Sequence, residues 1–206
     1  MGMVFVDVGM SLDGFIAGPT AGPRNPLGDG GTCIHQWVYP LAAFRTRLGM
    51  EGGESGSDND RLEAVFARTG AYVMGRCMFD EGEVGWPEDP PFRAPVFVLT
   101  HRPREPWVRR GGTTFTFVNE GVESALERAR AEAGDRDIRI SGGADAIRQC
   151  LEAGVVDELT IHLAPILLGR GVPLFERLLA ERLALSIADV EGSPLVTHLT
   201  YRLAGR

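Results

Sequence analysis

The chain has 206 residues, a formal net charge of -7 and a pI near 5.2, which excludes the basic surface that nonspecific nucleic-acid binding needs. All 21 basic residues are arginines, which excludes Schiff-base chemistry on lysine and a P-loop lysine. Three widely spaced cysteines form no C-x-x-C pair, so we expect neither a disulfide framework nor a metal site. Without a signal-like or membrane-spanning apolar run, the sequence predicts a cytoplasmic protein with no membrane partner.

The first quarter of the chain predicts one strand, one helix and much loop. Residues Met3–Met10 have the composition of a buried strand, which ends in a turn at Ser11–Gly14 with Asp-Gly at its tip. Residues 18–33 are rich in glycine and proline and are predicted to be loop. The spacing of apolar residues then predicts a helix from Trp37 to Leu48.

The rest of the chain alternates between predicted strands and helices. Asp58 or Asn59 is expected to cap a helix that ends at Gly70, and further helices are expected at 122–133 and from Gly143 to Gly154. Strands are predicted at 71–75, 95–100, 113–118, 138–140, 157–168, 183–190 and 195–203. This alternation predicts a single α/β domain over residues 1–206, with a mostly parallel sheet and an antiparallel C-terminal edge.

A strand, two glycines and a helix follow one another at residues 138–154. Glycines let the backbone approach a pyrophosphate, and the N-terminus of a helix attracts anionic oxygens. Gly142 and Gly143 therefore suit a nucleotide phosphate, although a tight strand-to-helix turn explains the same two glycines.

Polar or cationic residues also follow two other predicted strands. Gly75 and Arg76 follow one strand, and Thr100, His101 and Arg102 follow another. Ligands of open α/β sheets bind along the carboxyl edge of the strands. An arginine after a strand is usually a solvated surface residue, but three such sites on one edge favour a nucleotide, with Arg76 and Arg102 at phosphate and with His101 or Arg102 at an adenosine 2′-phosphate.

Other polar residues of the sequence support weaker hypotheses. Ser11 and Asp13 lie either in a β-turn, the interpretation we favour, or in a substrate pocket. The histidines lack metal-ligand spacing, and His162 is interpreted as a position on a strand face. Trp37 is interpreted as a packing residue; the alternative is that it forms the floor of a pocket for a flat ring.

The order of the motifs resembles that of the dihydrofolate reductase-like superfamily, and most closely the reductase domain of riboflavin biosynthesis with its stand-alone relatives. The resemblance covers residues 3–203. The motifs that carry it are Met10–Gly18, Val73–Arg76, the Gly-Gly helix, Val156–Leu159 and Ala164–Phe175.

This resemblance implies a three-layer α/β/α fold whose mixed, mostly parallel sheet has about eight strands and a C-terminal antiparallel hairpin. It also implies NADPH bound across the carboxyl edge of the sheet, with Val8 and Gly9 against the nicotinamide. The cofactor contacts that it implies come from Val8, Gly9, Ala17, Gly75, Arg76, Thr100, His101, Arg102, Ser141, Gly142, Gly143, Ala144 and Asp145.

The activity implied is NADPH-dependent hydride transfer to a C=O or C=N bond of a small heterocyclic or sugar-phosphate substrate, as in 5-amino-6-(5-phosphoribosylamino)uracil reductase. A homodimer is expected. Asp13, Asp80 and a bound water are the candidate proton donors. A folate-type reductase of low activity and a noncatalytic NADP(H)-binding sensory protein are the alternatives.

The sequence departs from both related patterns on the substrate side. Riboflavin-type reductases typically carry Glu before the two glycines, where this chain has Ser141. Folate reductases carry an acidic residue in the first helix, and residues 36–49 contain no carboxylate. Residues 19–57 are longer than the corresponding segment of either group, and we expect them to form part of the substrate wall.

Overall fold

The computed structural model describes residues 2–176, 178 and 183–204. Its strands are β1 (Val4–Ser11), β2 (Phe15–Ala17), β3 (Thr69–Gly75), β4 (Val96–Leu99), β5 (Trp107–Val108), β6 (Thr114–Val118), β7 (Asp137–Gly142), β8 (Glu158–Ala164), β9 (Val172–Pro173), β10 (Leu185–Ser193) and β11 (Val196–Leu203).

Five α-helices and two short 3-10 helices occur in the described part of the chain. They are α1 (Ala42–Arg47), α2 (Ser57–Arg68), α3 (Arg76–Glu83), α4 (Val122–Ala133) and α5 (Ala144–Glu152), with 3-10 helices at Gly31–His35 and Arg110–Gly112. The longest of these helices have 12 residues, and none is long and apolar enough to cross a membrane.

Nine described strands form the main sheet, in the order β10-β11-β8-β1-β7-β3-β4-β6-β5. The strands from β8 to β6 in this order pair in parallel, which brings their carboxyl ends to one edge. Strand β11 pairs antiparallel with β8 and β10 with β11, while β5 pairs antiparallel with β6 at the other end. The predicted mixed, mostly parallel sheet with a C-terminal hairpin is confirmed, with nine strands where about eight were expected.

Helices cover both sides of this sheet and give three layers. On one side, which we call the apolar face, Val4, Val6 and Val8 of β1 pack in one cluster with residues of α4 and α5. On the other side, which we call the pocket face, lie Phe5, Asp7 and Gly9, because successive side chains of a strand point in opposite directions. Helices α1 to α3 lie on the pocket side, where Phe79 of α3 and Leu62 of α2 join separate clusters.

Several predicted element boundaries are wrong; among them, Gly70, which was expected to end the second helix, lies in β3, and helix α3 was not predicted. The helix expected from Trp37 begins at Ala42, because the ring of Pro40 disfavours helical geometry in the residue before it. The strand expected to reach Leu168 ends at Ala164, since the next residue is a proline without a backbone N–H. The second helix begins at Ser57 rather than after an Asp58 or Asn59 cap.

Candidate active site

The carboxyl ends of β3 and β7 meet in a side-chain-free surface, which we call the glycine edge (Gly75, Gly142 and Gly143). A Cβ on Gly75 would lie 3.5 Å from the backbone nitrogen of Gly143 and 3.3 Å from the Cβ of Ala146. Gly142 has a φ of +129°, a conformation that favours glycine. A Cβ on Gly143 would meet no atom within 4 Å, so the edge opens into free space.

Helix α5 begins directly after the glycine edge. Its first residues, Ala144 and Asp145, carry backbone N–H groups that have no partner within the helix, and the helix dipole adds positive potential there. The carboxylate of Asp145 forms an ion pair with Arg148, which offsets its negative charge. The edge and the helix start together suit an anionic group such as a phosphate.

The two predicted phosphate arginines lie together beside this edge. Arg76 donates from Nε to Oδ1 of Asp80 at 2.6 Å, and Arg102 donates from Nη2 to Oδ2 of Asp80 at 2.8 Å. The side chain of Arg102 is 68% exposed, and His101 is exposed beside it. The hydroxyl of Thr100 accepts a hydrogen bond from the backbone N–H of Arg102. Asp80, a candidate proton donor, is thus held between two guanidinium groups.

Ser11 and Asp13 form a turn network. The hydroxyl of Ser11 donates to Asp13 at 2.6 Å, and the carboxylate of Asp13 also accepts from the backbone N–H groups of Leu168 and Gly169. The hydrogen bond from Ser11 is the main reason why the pKa of the exposed Asp13 is lowered. Ala17 lies just beyond the turn and pairs with β9. This geometry matches the turn interpretation of Ser11 and Asp13.

A pocket of about 260 Å³ opens on the pocket face. Neither Ser11, Asp13 nor Asp80 is among the described residues that line it. The lining combines aromatic rings (Trp37, Phe44, Phe66, Tyr72, Phe92) with polar side chains (Asp7, His35, Arg139, Ser141, His162). Several of them come from the long segment 19–57, as its length predicts.

The predicted nicotinamide contacts, Val8 and Gly9, both line this pocket. A Cβ on Gly9 would lie 2.9 Å from both Cε1 of His35 and Cγ2 of Ile34. Glycine at this position therefore allows the 3-10 helix to pack on β1 and brings His35 to the pocket. Burial, and to a smaller extent His162, lower the pKa of His35 to about 4, so its imidazole is neutral at physiological pH.

Asp7 is the buried carboxylate of the pocket. It is 3% exposed, accepts from Nη2 of Arg139 at 2.5 Å through Oδ1, and lies 3.0 Å from Nε2 of His162 through Oδ2. Burial by itself raises the pKa of Asp7, but Arg139 and His162 outweigh that effect and hold the pKa well below its usual range. Asp7 is therefore ionised and acts as a hydrogen-bond acceptor.

The contacts of Asp7 continue into a row of four side chains, which we call the His–His chain (Asp7, His162, His198 and Asp58). The two Nδ1 atoms of His162 and His198 are 2.7 Å apart, and Nε2 of His198 is 3.1 Å from Oδ1 of Asp58. The ring centroid of Trp37 lies 4.8 Å from that of His162 and 5.0 Å from that of His198. Burial first, and then the neighbouring His162, lower the pKa of His198.

The His–His chain was not predicted from the sequence, although the sequence carries a signal for it. Asp7 interrupts an otherwise apolar strand, and Arg139 and His162 alternate with apolar residues in theirs. A polar side chain in a buried strand requires a polar partner, and parallel neighbouring strands supply one. The partner of His198 on α2, Asp58, had been interpreted as a helix cap.

Several buried polar atoms around the pocket lack a partner within the described residues. They are Oγ of Ser141, Nε1 of Trp37 and Nε of Arg139. A buried polar group without a hydrogen bond costs about 1–3 kcal/mol, so such atoms mark places where a bound molecule would supply the missing partner. Ser141 directly precedes the glycine edge, and the pocket and the edge are therefore continuous.

Comparisons with known proteins relate the chain to one family and one fold. The family model of the RibD C-terminal domain matches residues 3–196. The protein YwjB of Bacillus subtilis is 30% identical over 126 residues, which cover 61% of this chain and 70% of YwjB. The structure of a protein assigned to riboflavin biosynthesis in Shewanella sp. PV-4 is 25% identical, with a TM-score of 0.66 over 98% of this chain and 99% of the other.

A third similarity concerns the fold. Dihydrofolate reductase from Enterococcus faecalis, solved with NADP(H), is 16% identical, with a TM-score of 0.52 over 98% of this chain and 96% of the reductase. The match to the family model extends over nearly the whole chain and confirms the resemblance drawn from the motifs. The chain belongs to the RibD C-terminal domain family, a reductase-like family with the dihydrofolate reductase-like fold.

Proposed function

We propose that this protein is an NADPH-dependent reductase that reduces a C=O or C=N bond of a small planar heterocycle. The observation that carries the proposal is the continuity of the glycine edge with the pocket through Ser141 and Gly142. A dinucleotide that binds along this edge reaches the pocket with one end, where Val8 and Gly9 lie.

The residues of the glycine edge fit the pyrophosphate of such a cofactor. Gly75, Gly142 and Gly143 keep side chains away from it, and the free space above Gly143 is the volume that a Cβ would fill. The backbone N–H groups at the start of α5, from Ala144 and Asp145, would donate to its oxygens.

Arg76 and Arg102 are the residues that favour NADPH over NADH. A 2′-phosphate would compete with Asp80 for both guanidinium groups, and the exposed Arg102 is free to turn towards it. Charge-assisted bonds of arginine to phosphate are stronger than neutral ones.

The pocket itself supports a flat and mainly uncharged substrate. Apolar side chains make up most of its lining, and Arg139, its sole arginine among the described lining residues, is already bound to Asp7. A phosphate group inside the pocket would therefore meet no positive charge that is not already balanced by a carboxylate, which favours a heterocycle over a sugar phosphate. The hydroxyl of Ser141 and the indole N–H of Trp37 are available to orient the ring.

The chain contributes orientation and charge to the reaction. A bound nicotinamide supplies a hydride, while the reduced bond also needs one proton. The aromatic walls hold the substrate ring and exclude water, and the pocket places the buried Asp7 and the neutral His35 beside it.

A fluorescence titration with NADPH and NADH tests the proposal. We expect NADPH to bind at least about tenfold more tightly than NADH, since charge-assisted bonds contribute about 1.5–3 kcal/mol. The Arg102→Ala variant should lose that preference, whereas equal losses for both cofactors would contradict the assignment of Arg102. The absence of NADPH binding would overturn the proposed function.

NADPH oxidation with a panel of pterins, pyrimidines and quinones identifies the reaction. Turnover of a pyrimidine or a quinone supports the proposal. Turnover of dihydrofolate alone would favour a folate-type reductase. That enzyme is the second candidate because Asp7 places a carboxylate in the pocket, although it does so from β1 and not from a helix. Tight NADPH binding without any turnover would indicate a noncatalytic binding protein.

We also expect the protein to form a homodimer. Among the described strands β10 is an edge of the main sheet, and its apolar residues Leu185 and Ile187 are 47% and 72% exposed. An exposed apolar edge strand is a surface for pairing with a second copy. Sedimentation should show a dimer, and the variant Ile187→Glu should dissociate it. The control variant Leu167→Glu changes an equally exposed leucine elsewhere and should leave the dimer intact. A monomeric wild type would contradict the expected dimer.

A further inference from the structure

The contacts of the His–His chain fix the number of protons that it holds. An ionised carboxylate only accepts hydrogen bonds, so Asp7 and Asp58 each require an N–H on the facing Nε2 atom, at 3.0 Å and 3.1 Å. If both imidazoles were neutral, both Nδ1 atoms would then be bare, and two lone pairs would face each other across 2.7 Å. A third proton between the Nδ1 atoms satisfies every contact.

The surroundings of the His–His chain support one extra proton and disfavour two. With a single positive charge on the two imidazoles, the formal charges of Arg139, Asp7, the imidazole pair and Asp58 cancel. The ring of Trp37 packs against both imidazoles, with centroid distances of 4.8 Å to His162 and 5.0 Å to His198. The other charged or titratable groups that face the chain are His35 from the 3-10 helix, Arg61 and Arg68 from α2, and Asp189 and Glu191 of β10, which both bind Arg61.

The two ends of the His–His chain differ in their exposure. Asp7 lines the pocket, whereas the side chain of Asp58 on α2 is 19% exposed. The two imidazoles between them are 5% and 0% exposed. The chain therefore connects the pocket with the outer side of α2 through side chains alone.

We propose that the His–His chain is a proton store, in which His162 and His198 share one proton that is released into the pocket through Asp7. This role rests on the proposed function, since a reductase must add one proton to the substrate for each hydride. Asp7 is the member that contacts the substrate, and His162, His198 and Asp58 act through it.

The proton transfer balances without any further reactant. As the substrate heteroatom becomes basic on reduction, the Nε2–H bond of His162 breaks, and the proton passes to the carboxylate of Asp7 and on to the heteroatom. The Nδ1 proton moves from His198 to His162, so the pair becomes neutral and Asp7 remains ionised. A proton from water restores the positive charge before the next turnover.

Nuclear magnetic resonance of the cofactor-free protein tests the store without any catalysis. The chain has 4 histidines, so ¹⁵N labelling of histidine gives a spectrum that can be assigned fully. At neutral pH we expect both Nε2 atoms of the pair to carry protons and one strongly deshielded proton to be shared between the Nδ1 atoms. Two neutral rings at neutral pH, or two rings that each take up a proton independently, would overturn the proposal.

The variant Asp58→Asn weakens the store at its outer, partly exposed end. Because an opposite charge within hydrogen-bond distance favours the protonated pair, this change should move the loss of the shared proton to a pH lower by about one unit or more. The matched control is Thr200→Val, which removes the buried hydrogen bond between Thr160 and Thr200, one side-chain pair along the same two strands. The control should leave the imidazole spectrum unchanged, and an unchanged spectrum in Asp58→Asn would contradict the store.

Steady-state kinetics with a panel substrate that turns over then test whether the stored proton is used in catalysis. Asp58→Asn should lower kcat about tenfold with KM unchanged, move the pH profile of kcat to lower pH, and enlarge the solvent isotope effect. Thr200→Val should leave all three unchanged. A shared proton in the spectrum without any NADPH turnover contradicts the proposed function and leaves the store standing, whereas turnover with an unaltered pH profile in Asp58→Asn overturns the catalytic role of the store.

Discussion

Strand β1 sends side chains of opposite character to the two faces of one sheet. On the apolar face, Val4, Val6 and Val8 pack with the helices α4 and α5. On the pocket face, Asp7 lies in a hydrogen-bonded row with buried histidines, and Gly9 makes room for His35. Both faces are buried, so burial alone does not distinguish them.

The two faces are expected to contribute differently to the free energy of folding. Apolar burial contributes to stability roughly in proportion to area, at about 25 cal/mol per Å². Buried ion pairs contribute little on balance, because the cost of removing the charges from water offsets their attraction. Our proposal assigns the polar groups of the pocket face to binding and chemistry, so substitutions on the two faces should have different consequences.

Replacement of the central ion pair of the pocket face should give the largest effect. Asp7→Leu leaves the Arg139 guanidinium and Nε2 of His162 without their partner, and we expect a loss of about 3–5 kcal/mol in the free energy of unfolding. The double variant Asp7→Leu with Arg139→Met should recover most of that loss while it abolishes turnover. Urea unfolding measures both; a double variant as unstable as the single one would show that this ion pair is needed for folding.

Truncation on the apolar face should destabilise the protein without affecting the site. Leu126 of α4 is 1% exposed in the apolar cluster, and Leu126→Ala should cost about 2–5 kcal/mol because of lost burial and a residual cavity. Affinity for NADPH should be unchanged. Glu127→Ala, at the exposed neighbouring position, is the control and should stay within about 0.5 kcal/mol of the wild type. A selective loss of NADPH affinity in Leu126→Ala would contradict the prediction that the apolar face affects stability alone.

The stability of the protein should depend on pH because of His35 on the pocket face. Its pKa falls from 6.5 to about 4 on folding, so the folded state resists protonation. Stability is therefore complete above pH 6.5 and declines as the pH falls towards 4, by about 3 kcal/mol in total. The pKa of Asp7 is also lowered, and its protonation adds a further loss of stability only below pH 3.8.

Thermal unfolding across this pH range measures the contribution of His35. The variant His35→Gln should flatten the curve between pH 6.5 and 4, since it removes the group that resists protonation. The control variant His101→Gln changes an exposed histidine and should keep the slope of the wild type. An equal slope in the wild type and in His35→Gln would contradict this account.

The sequence was sufficient for the fold but not for the polar side of the site. Glycines 142 and 143 at a strand end and the order of the motifs indicated the fold, because glycine and turn chemistry act locally. The His–His chain escaped prediction because its members lie far apart in the sequence, with Asp7 separated from His162 by 155 positions. Proline explains two of the misplaced boundaries, since Pro40 and Pro165 override the apolar periodicity around them.

The candidate site residues divide in the same way. The two arginines that were predicted to bind the cofactor lie together at Asp80, where parallel strand ends meet, and this follows from sheet topology. Asp13 and Asp80 were the candidate proton donors, and neither is among the described residues that line the pocket. Which carboxylate faces the pocket depends on the alternation of side chains along β1, and only the fold reveals that it is Asp7.

The most direct test of the central claim is NADPH binding by the variant Gly143→Ala. The backbone φ of Gly143 is -71°, which alanine adopts without strain, and the added Cβ meets no atom within 4 Å. Its unfolding free energy should therefore match the wild type within about 0.5 kcal/mol. If the glycine edge holds the pyrophosphate, NADPH affinity measured by fluorescence titration should fall about tenfold or more. Unchanged NADPH affinity in a fully stable Gly143→Ala protein would contradict the account.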